Sequence, residues 1–125
     1  MIRQYSFEKL EVWQEARTFS VSIYKITSKF PQEEKFGLTS QLRRGTISIA
    51  SNIAEGSART SPKDQANFYQ IAYSSTLEVL NQLIISCDLG FISNEELIIF
   101  RDKIDSISFK LNSLWRSIKN NNSKP

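Results

Sequence analysis

Apolar positions recur at helical spacing along almost the whole chain. Between residues 7 and 30, Val12, Ala16, Phe19, Ile23, Ile26 and Phe30 alternate steps of four and three, the seam of an antiparallel bundle. Pro31 closes this first helix, because proline disfavours helical geometry in the residue before it. Lys25 and Lys29 stand near its end, where the helix dipole favours cations. A second helix is expected from Glu33 or Phe36 to Glu55, with Gly56 as a left-handed C-terminal cap. The third has Ser61 as N-cap, Pro62 at the first helical position and Asp64 at the third, and Gly90 ends it. Its core stripe reads Tyr69, Ala72, Thr76, Val79 or Leu80, Leu83 and Cys87. The fourth opens on the capping box Ser93-Asn94-Glu95-Glu96, with Ile92 and Leu97 at the staple positions. Its seam is the most regular of the four: Leu97, Phe100, Ile104, Ile107, Leu111, Leu114 and Ile118. The polar end, residues 120–125, is expected to be a disordered tail behind a bundle domain spanning residues 1–119.

The connections are short, so consecutive helices should lie antiparallel. The expected fold is all-α, an up-down-up-down antiparallel four-helix bundle. No strand alternation, internal repeat or domain linker interrupts it.

The second helix has more apolar surface than one bundle can bury. Leu38, Leu42, Gly45, Ile49 and Ile53 share one face, while Phe36, Ile47, Ala50 and Ala54, with Arg43 among them, fall nearly opposite. Gln41, Arg44, Ser48, Ser51 and Glu55 form a third, polar stripe. The first helix has a similar flank in Leu10, Trp13, Val21 and Tyr24, which also carries Arg17. A helix on the outside of a small monomer has one apolar stripe and a charged back. The second stripe, Leu10, Trp13, Val21, Tyr24, Phe36, Ile47, Ala50 and Ala54, is therefore expected at an oligomer interface.

Composition adds little to the fold and more to the chemistry. At 125 residues, 40% hydrophobic and 23% charged, the chain suits one soluble domain, and its 4 Gly and 3 Pro favour long helices. Charge is uneven. Residues 1–63 carry ten Lys and Arg against six Asp and Glu, and the remainder six against seven. That asymmetry permits a polyanionic partner. The single Cys87 has no intramolecular disulfide partner and reads as a buried thiol in a reducing compartment. The N-terminal stretch has no long apolar region, so no signal peptide is read, and no apolar run approaches a membrane span. A cytoplasmic protein with no membrane partner is expected.

The usual catalytic groups are missing from the sequence. There is no histidine, so the commonest general base and zinc ligand are absent, and Cys87 cannot form a Cys–His pair. Gly45 and Gly56 match no phosphate-binding loop, and the Glu-x-x-His pairs of bundle di-metal sites are lacking. Glu33-Glu34 and Glu95-Glu96 sit where helix starts favour negative charge. No enzyme activity, catalytic residue, metal or cofactor is expected.

The basic residues carry two readings each. Arg44 lies on the polar stripe with Ser48, Ser51 and Glu55, and a structural network with these and Glu78 is one reading. Arg43 suits a subunit contact or a basic surface. Arg59 and Lys63 flank the turn before the third helix. With Arg43 and Arg44 they read as a group around one helix end that could hold phosphates, or as a solvated turn. Trp13 and Tyr24 beside Arg17 suit base stacking or an interface. Trp115, next to the fourth seam, reads as packing.

These residues resemble the bacterial four-helix family of 23S rRNA intervening sequence proteins, also labelled ribosomal-protein-like. The matching segments include Phe7-x-x-Leu10-x-Val12-Trp13-Gln14-x-Ala16-Arg17 and Phe36-Gly37-Leu38-x-x-Gln41-Leu42-Arg43-Arg44. Asn52-Ile53-Ala54-Glu55-Gly56, Arg59-x-Ser61-x-Lys63-Asp64 and Ser75-x-x-Glu78 follow. The resemblance implies an up-down bundle assembled as a homopentameric ring. The accessory variability determinant of diversity-generating retroelements is a related branch, which works with a reverse transcriptase and nucleic acid through a basic ring surface. The leading expectation is a non-enzymatic homo-oligomer binding RNA or a ribonucleoprotein through Arg17, Arg43, Arg44, Arg59 and Lys63. The alternative is a structural or protein-interaction scaffold without direct nucleic-acid binding.

Overall fold

The computed structural model describes the backbone of residues 2–123 and the side chains of residues 2–120. Four long helices make up the architecture: α1 Glu11–Thr27, α2 Leu38–Ser57, α3 Pro62–Asp88 and α4 Asn94–Ser123. Two short 3-10 turns, Ser6–Lys9 and Gln32–Glu34, precede α1 and α2. α4 runs through Ser123, and the last two residues of the expected polar tail lie outside the described residues.

α1 is shorter than its apolar periodicity suggests, and α2 starts later and runs two residues further, to Ser57. Leu10 is extended, at φ −74° and ψ 124°, between the first 3-10 turn and α1. The Gln14 amide donates to the Glu8 carbonyl at 2.9 Å, which satisfies an acceptor that a continuous helix would have used. The chain leaves α1 after Thr27, three residues before the predicted end. Gly37, at φ −111° and ψ −116°, separates Gln32–Glu34 from α2. The Glu34 carboxylate then accepts the Leu38 N–H at 3.2 Å, placing negative charge at the start of α2 as the sequence suggested.

The starts of α3 and α4 follow the sequence closely. Ser61 Oγ accepts the Asp64 N–H, with Pro62 in the first turn. Ser93 and Glu96 form the reciprocal capping box, at 2.8 and 3.1 Å. Gly90 takes φ +81°, and the N–H groups of Gly90 and Phe91 donate to the Cys87 and Ser86 carbonyls. That pair of bonds is a Schellman cap, which needs a left-handed residue at this position.

Gly56 departs from its expected role. It lies inside α2, and among the described residues Gly90 alone has a positive φ. A Cβ on Gly56 would fall 2.7 Å from Tyr69 Cε1 and 3.0 Å from Phe68 Cβ. Gly45, about three turns earlier on α2, would place one 2.8 Å from Val79 Cγ2. Both glycines let α2 and α3 approach closely. A local cap signal and a close-packing glycine look alike in one sequence.

Cross-helix pairs fix the antiparallel order. Ser20 hydroxyl meets Thr46 at 3.1 Å, Ser48 meets Ser75 at 2.9 Å, and Thr76 meets Ser108 at 3.3 Å. Ser106 donates to Glu15 at 2.5 Å, closing the ring from α4 back to α1. Among the described residues each helix packs on its two neighbours, and the diagonal pairs α1–α3 and α2–α4 keep their Cα atoms more than 8 Å apart. Val12, Ala16, Phe19, Ile23, Leu42, Ile49, Ile53, Tyr69, Val79, Leu83, Ile104, Ile107 and Leu111 are buried together, with Phe19 edge-on to Phe100. Val79 rather than Leu80 takes the fully buried place. Cys87 is half-buried, not buried, and its thiol donates to Asn94 Oδ1 at 3.2 Å. No helix among the described residues is long and apolar enough to cross a membrane.

Candidate nucleic-acid interface

The five expected cations do not form one cluster. Arg43 lies in the second turn of α2, whereas Arg59 and Lys63 flank the turn beyond its other end. About fourteen helical residues separate them, roughly 20 Å along the axis. The grouping around one helix end is therefore corrected: nearness in sequence became distance along a straight rod.

Arg43 turns back onto α1. Its Nε donates to Thr27 Oγ1 at 2.9 Å and a terminal nitrogen donates to the Tyr24 carbonyl at 3.2 Å. The guanidinium also lies 4.7 Å from the centre of the Tyr24 ring. These contacts place a cation at the C-terminal end of α1, where the helix dipole favours one. Half-buried and triply held, Arg43 has a structural post.

Arg44 points the other way, into a cleft of about 450 Å³ between α2 and α3 that Gln41, Gly45, Ser48, Ser75 and Glu78 also line. Its expected network is only partly present within one chain. Ser48 bonds Ser75 and Asn52, and Gln82 bridges Gln41 and Glu78 at 3.3 and 3.4 Å. Arg44 joins neither set, and Ser51 and Glu55 stay exposed. Both ion pairs among the described residues run instead through Lys110, to Glu11 and Glu15.

Arg17, Arg59 and Lys63 are exposed and outside those ion pairs. Arg17 lies over Trp13 at 5.5 Å and Arg59 over Phe68 at 4.7 Å. Stacking orients each guanidinium without neutralising it. Lys63 stands in the first turn of α3, beside a surface cleft that includes Trp115 and Lys119.

The eight expected interface residues do not share one surface. Leu10, Trp13 and Ala50 pack against the chain's own core, and Trp13 meets Phe7 edge-on at 4.9 Å. Ala54 is half-buried, and Phe36 is 87% exposed in the loop before α2. Val21, Tyr24 and Ile47 together line an almost wholly apolar groove between α1 and α2, with Val21 51% and Ile47 44% exposed.

The α1–α4 seam escaped the sequence reading. Burial works to raise the Glu15 pKa, but hydrogen bonds from Lys110 and Ser106 outweigh it and hold the carboxyl below its usual range. Bonds to Glu11 and Glu15 raise Lys110 in turn. Glu11 with Glu15 and Ser106 with Lys110 are both spaced by four, a signal visible only once the two helices are known to be adjacent. Burial also raises the Tyr69 phenol. Among the described residues no three carboxylates or thiols gather to hold a metal ion.

Comparison with known proteins adds a family. The profile described as 23S rRNA-intervening sequence protein matches residues 8–113. A solved structure from Bacteroides thetaiotaomicron, described as a protein with unknown function from the S23 ribosomal protein family, is similar in fold. Its TM-score is 0.78 at 24% identity, over 84% of this chain and 95% of that one. No curated protein matches the chain.

Proposed function

The chain belongs to the 23S rRNA-intervening sequence protein family, and we propose that it is a non-enzymatic, homo-oligomeric bundle that binds RNA or a ribonucleoprotein through exposed cations. The observation that carries this reading is that Arg17, Arg59 and Lys63 are exposed while both ion pairs among the described residues belong to Lys110. Unneutralised surface cations release counterions from phosphates on contact, which is the main source of sequence-independent affinity. Arg44, outside both ion pairs among the described residues, adds to this set, and Arg43 is reassigned to structure. Self-association would use the α1–α2 groove of Val21, Tyr24 and Ile47, since exposed apolar patches of this kind mark interfaces. A homopentamer is what the family resemblance implies.

A scaffold without nucleic-acid contact is the second reading, and the structural role of Arg43 favours it, because one of the five candidate cations is accounted for by folding alone. An RNA titration at low and near-physiological salt separates the two. Wild type should bind at low salt and weaken steeply as salt rises, and Arg59→Ala/Lys63→Ala should bind less. No low-salt binding, or a double variant equal to wild type at both salts, refutes the RNA assignment.

A further inference from the structure

We propose that the surface groove between the first half of α3 and the second half of α4 is a stacking site for unpaired bases of single-stranded RNA, an inference that rests on the RNA reading above. Two clefts of about 160 and 200 Å³ meet there, and Gln70 and Trp115 line both. Antiparallel pairing of α3 with α4 places these side chains opposite one another. The floor of the first cleft is Leu111, which is buried, so one wall is fixed by the core itself.

The chemistry of the lining selects the ligand. Tyr73 and Trp115 offer aromatic rings, and Trp115 is half-buried, held in place yet reachable. Lys119 lies 4.6 Å from the centre of the Trp115 ring, so cation and ring are presented together. Lys63 stands at the other wall. Asn67, Gln70 and Asn112 supply amide donors and acceptors suited to base edges. Among the described residues no carboxylate lines either cleft, whereas Glu11 and Glu15 line the α1–α4 cleft and Glu78 the α2–α3 cleft. Rings for stacking, cations for phosphates and amides for edges match a single strand whose bases are free to splay. A duplex keeps its bases stacked on one another and cannot use the rings. An acidic peptide would use the cations and leave the rings idle.

Arg59, which precedes α3 by three residues, stacks instead on Phe68, on the side of α3 that faces α2.

The tryptophans make the test direct. In the full chain carrying Trp13→Phe, Trp115 is the only tryptophan. Titration with a short single-stranded RNA should quench its fluorescence. An abasic ribose-phosphate chain of equal length and charge should leave the emission unchanged and bind roughly tenfold more weakly, since stacking is removed. Asn67→Glu/Gln70→Glu changes two exposed positions, so its thermal melt should match the parent while its RNA affinity falls at least about tenfold. RNA that binds with a salt dependence but leaves Trp115 emission unchanged, and binds the double variant as well as the parent, overturns the groove while the RNA reading survives. Quenching by polyglutamate equal to that by RNA overturns it in favour of an acidic protein partner. No binding of either RNA or the abasic chain at low salt overturns both.

Discussion

The α1–α2 surface and the α3–α4 surface are both grooves between adjacent antiparallel helices, yet they are finished differently. The first exposes Val21, Tyr24 and Ile47, with Lys25 as the lone charged residue in its lining. The second carries Lys63 and Lys119 beside Trp115 and Tyr73, with three amide side chains and, among the described residues, no carboxylate. Apolar surface gains by meeting matching apolar surface, so the first suits another copy of the chain. Cations beside rings gain by meeting phosphates and bases, so the second suits a nucleic-acid strand. The same bundle geometry carries both surfaces because the side chains outside the core are free to differ while the seams are not. Two seams keep the surfaces in fixed relation: the glycine-lined α2–α3 contact and the Lys110-centred α4–α1 contact.

The comparison breaks most visibly at the apolar groove. Val21→Asn/Ile47→Asn leaves net charge unchanged and alters two exposed positions. Light scattering should fall from an assembly mass to that of the 14.4 kDa chain. A wild type that is already monomeric at micromolar concentration removes the contrast between the surfaces. Leu111→Ala strikes the floor of the other groove and the core together. Its cost should be ~2–5 kcal/mol in denaturant unfolding, the usual range for a buried leucine, and a cost below ~0.5 kcal/mol contradicts the packing described. Gly56→Ala tests the seam between the surfaces. Alanine gains ~1 kcal/mol of helix propensity, but its Cβ must displace the buried Tyr69 ring, and overpacking of this kind costs ~1–3 kcal/mol. Net destabilisation is expected, and a stabilised variant shows that α2 and α3 can separate freely.

The smallest effect belongs to the α4–α1 seam. The folded-state pKa of Glu15 is depressed, so its contribution is present above the ordinary carboxylate range and is lost as pH falls through the folded value. Melting temperature followed from neutral pH into acid should fall less for Glu15→Gln than for wild type. Parallel curves would show that the Lys110 bonds contribute nothing to stability.

The seams were legible in the sequence because burial and helical period coincide. Phe19, Ile49, Leu83 and Leu111 are buried where their spacing puts them. Polar core positions were not, because nothing about Ser20, Ser75 or Ser86 marks them as buried until a partner is in view. Ser86 satisfies its hydroxyl on the Gln82 carbonyl one turn back, a bond any exposed serine could make. The candidate site was less legible still. Arg43 and Arg44 are neighbours in sequence but serve different helices, α1 for one and the α2–α3 cleft for the other. Trp115 reads as packing from its place beside the fourth seam. Its role as a groove wall depends on Tyr73, Gln70 and Lys63, which lie more than forty residues away and meet it only through the antiparallel register.

The most direct test joins the two surfaces in one measurement, RNA affinity against salt for wild type and for neutral Val21→Asn/Ile47→Asn. If the apolar surface assembles copies of the cationic one, wild type repeats its phosphate contacts around the assembly. Its log affinity should then fall with log salt more steeply than the variant's, and its low-salt affinity should exceed the variant's by about 10²-fold or more through avidity. Equal slopes and equal affinities in the assembled and dissociated proteins would contradict the account.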